Sequence, residues 1–143
     1  MTSGNLPAHA LYQSGSAELF VLPESGILWL TWKENVPSAV IQEVYDQLFR
    51  QMQSHGIKHI LIDISRRGRA SAADETWMMR EFAPRLMELF RAGIYLAYLL
   101  NPQHYQELEE ESPNGSMESL SQVLSINYFR EEKNALDWLV AKL

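Results

Sequence analysis

Large apolar side chains along this chain switch between two spacings, and the switches divide it into elements. Residues 18–22 and 26–32 are apolar, aromatic-rich runs separated by Pro23, Glu24 and Ser25, a spacing that predicts an antiparallel hairpin. In the second run Leu28, Leu30 and Trp32 alternate with Ile27, Trp29 and Thr31. Both faces of that strand carry large side chains, so both are expected to meet protein. A helical spacing follows: Val40, Val44, Leu48 and Met52, flanked by Ile41, Tyr45 and Phe49, predict one amphipathic helix. Asn35 or Ser38 is its expected cap, Pro37 favours its start, and Gly56 ends it. Residues 58–65 return to strand spacing, with Ile60, Ile62 and Ile64 on one face and Leu61 and Asp63 on the other. Strand, helix and strand at these lengths imply a right-handed parallel crossover.

Beyond the turn after residue 65, Ser71 and Asp74 have the spacing of a capping pair. Trp77, Met78, Phe82, Leu86, Leu89 and Phe90 then mark a long helical stripe that Gly93 closes. Pro84 interrupts the stripe and predicts a kink or break near Ala83. Residues 94–100 contain no polar side chain, which suits a central parallel strand covered on both faces. The next stretch carries at best a short acidic helix before Pro113, Asn114 and Gly115. Met117, Leu120, Val123 and Leu124 mark another short helix, residues 126–129 a last strand, and Ala135, Leu136, Leu139 and Val140 a terminal helix. The order is ββαβαβαβα: a single α/β domain over residues 17–143, with a mixed, mostly parallel sheet packed with helices. Residues 1–16 read as an N-terminal tail, of which residues 9–12 can add an edge strand.

Composition narrows the function classes. At 143 residues with 46% hydrophobic and 21% charged side chains, the chain is long enough to bury a core without metal or disulfides. A net charge of -6 argues against nucleic acid or an anionic membrane as a partner for the whole surface. The chain has no cysteine, which removes thiolate catalysis and cysteine-bound zinc. Its first residues lack the pattern of a secretory signal and no apolar run reaches membrane-spanning length, so a cytoplasmic protein is the expectation.

The candidate chemistry lies in the turn that follows the central strand. Arg66, Arg67 and Arg69 stand beside the helix start at Ser71, and Gly68 lets the backbone approach a ligand closely. This is the carboxyl end of a parallel strand, where open α/β sheets bind ligands. Ser65, Arg66, Arg67, Gly68, Arg69, Ser71 and Asp74 therefore form the expected surface for a protein partner, an anion or a nucleotide. Reversing Arg66 and Arg67 to Glu is expected to weaken such binding and leave stability nearly unchanged. Asp63 is expected to accept hydrogen bonds from the loop after its strand. His9, His55, His59 and His104 have no metal-ligand spacing and read as solvated, and the acidic run near His104 lacks the geometry of a calcium loop. Neither a catalytic pair nor a cofactor motif is present, so no metal, no cofactor and no enzymatic activity is expected.

The segments LWLTW at 28–32, HILIDIS at 59–65, the serine-led helix start with Trp77, and INYF at 126–129 with Ala135, Trp138 and Leu139 together resemble the STAS fold. That fold occurs in sulphate transporters and anti-sigma-factor antagonists, and the likeness is closest to small bacterial STAS-like proteins of unknown activity. It covers most of residues 18–143. In the antagonists the matching loop carries a D-S-S-G motif whose serine is phosphorylated. Here the place reads R-A-S-A-A-D, so Ser71 is the candidate phosphorylation site while the flanking acidic residue and glycine are absent. The resemblance implies a non-enzymatic regulatory domain that docks a protein partner through the loop and helix after the central strand. The alternative is a small-molecule or lipid-binding module with an apolar pocket between sheet and helices. A homodimer is compatible with the abundance of Trp, Met and Phe.

Overall fold

The computed structural model describes residues 9–112 and 122–143. Six strands form one sheet in sequential order: β1 (His9–Gln13), β2 (Ala17–Leu22), β3 (Ile27–Trp32), β4 (His59–Asp63), β5 (Ile94–Leu99) and β6 (Leu124–Phe129). The first three are antiparallel neighbours, and β3 to β6 run parallel. The β2–β3 hairpin forms as its pattern predicts, closed by a Gly26 N–H bond to the Leu22 carbonyl at 2.8 Å with Gly26 at φ +74°. The strand expected near residues 9–12 is present as β1 at the sheet edge, with a register shift between Ala10 and Tyr12.

Helices cover the two faces unequally. On one face lie α1 (Ser38–His55), the run α2 (Ala72–Trp77), a π-helical segment (Met78–Phe82) and α3 (Ala83–Phe90), and α4 (Pro102–Glu111). Their apolar stripes meet Leu28, Leu30, Trp32, Ile60, Ile62, Leu96 and Ile126 in the larger core. On the other face α5 (Glu132–Ala141) sets Ala135 and Leu139 on Ile27, Leu61, Ala97 and Leu99. Small residues at Ala97 and Ala135 let this helix sit close to the middle of the sheet. Trp29 and Tyr95 complete that face, so β3 does carry large side chains on both sides.

Several local expectations are corrected. The N-cap of α1 is Pro37, with no side-chain hydrogen bond. Ser38 is already helical, and Asn35 Oδ1 accepts instead from the Val36 N–H at 2.9 Å. The long stripe does change course before Pro84, through a π turn in which the Ala83 N–H reaches the Met78 carbonyl five residues back. The wider turn accommodates a proline that lacks its own N–H and crowds the preceding turn. The helix then ends at Arg91, in the left-handed region at φ +69°, two residues before Gly93. Leu124 belongs to β6 rather than to a helix, because it pairs with Ile94, and the strand begins there rather than at Ile126. Met117 and Leu120 lie outside the described residues. The acidic stretch forms a full ten-residue helix, α4, capped by Asn101 Oδ1 on the His104 N–H at 2.7 Å. Among the described residues no helix is long and apolar enough to cross a membrane.

Candidate functional site

The carboxyl ends of β4, β5 and β6 meet the turn whose arginines carried the expectation, and that turn is built by local hydrogen bonds. Asp63 Oδ1 accepts from the Ser65 N–H at 2.9 Å and from the Ser65 hydroxyl at 2.6 Å, as expected of an Asp at a strand end. The Gly68 N–H then closes on the Ile64 carbonyl at 2.9 Å. Gly68 has φ +83° and open space around it, so the position needs glycine for its left-handed backbone rather than for close approach to a neighbour. Ser71 is exposed, and its hydroxyl oxygen accepts from the Asp74 N–H at 3.1 Å, the predicted cap of α2.

The three arginines part company. Arg66 points to solvent. Arg67 turns inward and is only 8% exposed, with its guanidinium carbon 5.0 Å from the centroid of the buried Trp32 ring. Its Nε reaches the Gly68 carbonyl at 3.4 Å, and its buried Nη1 has no hydrogen-bond partner among the described residues. Arg69 crosses to the helices: Nε meets Glu75 at 2.9 Å, and Nη1 and Nη2 meet the two oxygens of Glu111 at 2.7 and 2.9 Å. Glu107 adds a longer contact at 3.4 Å. This cluster ties the turn and α2 to α4, and the hydrogen bond from Arg69 holds Glu111 below the usual carboxylate range. Glu107 and Glu111 are thereby occupied, and no three acidic or histidine side chains converge on a metal-like centre among the described residues.

Three guanidinium groups around one anion are therefore not what the turn displays. Reversal of Arg67 would place a carboxylate in a buried wall, so only Arg66 offers a surface test that spares the fold.

Beneath the turn lies a cavity of about 210 Å³ between the sheet and the helices. Ile41, Ile64, Met78, Met79 and Leu108 give it apolar walls, Tyr98 and Tyr128 line it from the sheet and Tyr45 from α1, and Arg67, Asp74, Glu75 and His104 supply polar groups. Strand register places two of the tyrosines: Tyr98 pairs with Tyr128 across β5 and β6, and their rings stack at 5.6 Å. The Tyr45 and Tyr98 hydroxyls meet at 3.1 Å, and the Tyr98 hydroxyl also donates to Met78 Sδ at 3.7 Å. Burial, and then the neighbouring Tyr45, push the Tyr98 hydroxyl well above its ordinary pKa, so it stays protonated.

His104 corrects the expectation of a solvated histidine. It is 5% exposed on the first turn of α4, and its Nδ1 is buried without a partner among the described residues. Burial first, and then the charge of Arg69, hold its pKa below the ordinary histidine value. The imidazole is accordingly neutral at pH 7.

The turn was legible in the sequence, whereas a pocket between sheet and helices was expected only as the alternative and without its lining residues. Tyr45 and Tyr98 followed core periodicities, and the one available signal was a tyrosine where phenylalanine would pack as well: a buried hydroxyl needs a partner. Comparison with protein families, curated proteins and solved structures finds no match for this chain.

Proposed function

We propose that this chain is a non-enzymatic ligand-binding domain of STAS-like architecture, in which the cavity at the carboxyl ends of β4 to β6 takes a small molecule. The observation that carries this reading is the pairing of an apolar cavity with two buried, unpartnered nitrogens, Arg67 Nη1 and His104 Nδ1. Natural interiors rarely leave polar atoms in that state, and beside a cavity a ligand can complete their hydrogen bonding; Trp32 Nε1, also without a partner among the described residues, lies outside the cavity lining. The position suits it, since open parallel sheets bind ligands outside the carboxyl ends of their strands. At about 210 Å³ the space is too small for a long acyl chain, which favours a compact ligand over a lipid.

Methyl NMR of the full chain provides the test. Titration with toluene, phenol and phenylacetate is expected to give saturable shifts at Ile41, Ile64, Met78 and Met79, and none at Leu48 in the filled part of the core. Absence of saturable shifts with all three probes would sink the reading.

A second reading, a regulatory domain that docks a partner protein, is favoured by the surface above the cavity. The helix α2 contributes no buried residue, Met79 is 57% exposed, and Arg66 and Ser71 face solvent beside it. The acidic surface of a partner would suit Arg66, and phosphorylation of Ser71 would change that charge. The two readings separate at Arg66, whose reversal to Glu weakens docking and leaves probe binding in the cavity unchanged.

A further inference from the structure

The cavity's polar groups narrow the class of its ligand, a step that rests on the ligand-binding reading above. We propose that the cavity binds a small monocarboxylate with an apolar ring or short chain, its carboxylate paired with Arg67 and hydrogen-bonded by His104.

The charge distribution around the turn argues for an anion. Arg69 gathers Glu75, Glu107 and Glu111, whereas Arg67, two residues earlier, has no carboxylate within ion-pair distance among the described residues. Acidic groups are therefore abundant nearby but are drawn to the neighbour. Asp74 lines the same cavity and still forms no ion pair with Arg67. The Trp32 ring and a long bond to the Gly68 carbonyl compensate the buried cation only in part. A buried charge without a counter-ion is costly, and a guanidinium offers a planar fork that matches a carboxylate.

The remaining walls set the rest of the ligand. Apart from Arg67, His104, Asp74 and Glu75, of which Glu75 is held by Arg69, the lining consists of aliphatic side chains, methionines and tyrosine rings, and the Tyr45 and Tyr98 hydroxyls already satisfy one another. A second charge on the ligand would lie against Ile64 or Met78 with no partner, which disfavours dicarboxylates. An apolar cavity of about 150 Å³ holds benzene, so the larger space here suits roughly eight to ten non-hydrogen atoms. His104, kept neutral by burial, can donate one hydrogen bond from Nδ1 to a carboxylate oxygen without a second cation being present.

Calorimetric and methyl NMR titrations of the full chain with phenylacetate, its neutral analogue phenylacetamide, and phenyl phosphate test the assignment. Phenylacetate is expected to bind at least tenfold more tightly than the amide and more tightly than the phosphate ester. Arg67→Met is expected to bring acid and amide to equal affinity and to raise the melting temperature of the unliganded protein, because an unpaired buried cation is removed. His104→Gln is expected to weaken the acid by a smaller factor. If acid and amide bind wild type equally, the cavity reading survives and the carboxylate assignment is overturned. Tighter binding of the phosphate ester overturns it as well. Should no probe bind, toluene and phenol included, both fall together. If Arg67→Met fails to fold, unchanged acid-over-amide preference in His104→Gln overturns the proposal.

Discussion

The layer between the sheet and its larger set of helices has two ends that are packed by different rules. Leu48, Met52, Leu86 and Ile60 at one end are apolar and fully buried. Around Tyr45, one turn earlier on the same helix α1, and Tyr98, Arg67 and His104 beside it, the layer holds hydroxyls, a cation, an imidazole and open space. The first arrangement is what burial alone selects. The second gives up packing and leaves polar atoms unpartnered, which stability alone does not explain, and that departure is the reason to place function there.

The largest test of this contrast compares one truncation at each end. Leu48→Ala at the filled end is expected to lower unfolding free energy by about 3 kcal/mol, since the tightly packed neighbours cannot close the gap. Tyr98→Phe at the open end removes the bond to Tyr45 and is expected to cost only about 1 kcal/mol. Chemical denaturation measures both. Equal losses would mean that the two ends are packed alike and that the cavity contributes no slack.

Much of the filled end was readable in advance, because its residues follow periods that only local geometry sets. Val44, Leu48 and Met52 recur at helical spacing, and Gly56 takes the left-handed cap with φ +64°. Pro84 announced a disturbance, although nothing local distinguished a kink from a π turn. The open end was legible only as a place. That Arg69 would meet carboxylates 38 and 42 residues away, while Arg67 folded onto Trp32, depends on where α4 and β3 come to rest. The 53-residue separation of Tyr45 and Tyr98 hides their contact for the same reason. Side-chain types showed that chemistry was available at the turn, and tertiary packing decided which arginine had it.

An intermediate effect is expected from pH. The folded-state pKa of His104 is depressed below 6.5, by burial first and then by the charge of Arg69, so the unfolded chain binds the proton more tightly. The stability tied to neutral His104 is fully present above about pH 6.5 and is lost as pH falls from there through the folded-state value. Arg67 and Arg69 disfavour the protonated ring and Glu75 and Glu107 favour it, so the direction follows from burial and the two arginines together. Denaturation midpoints between about pH 7.5 and 5.5 should fall more steeply for wild type than for His104→Gln. Identical slopes would place His104 in water after all and remove it from the cavity wall.

The smallest expected effect concerns Arg69 and sharpens the difference between the two neighbouring arginines. Its contacts are charge-assisted and near-ideal in length, yet Glu75 and Glu111 are 41% and 57% exposed at their side chains, so solvent screens much of the attraction. Arg69→Ala is therefore expected to lower the melting temperature slightly in dilute buffer and hardly at all in 1 M salt. Arg67 sits where salt does not reach, so the effect of Arg67→Met on stability should be nearly independent of ionic strength. Melting curves of both variants across a salt series separate the two behaviours. A salt-insensitive Arg69 would mean that its cluster is a dry clasp between α2 and α4 rather than a screened surface network, and the cavity beneath it would then be closed more firmly than its exposed carboxylates imply.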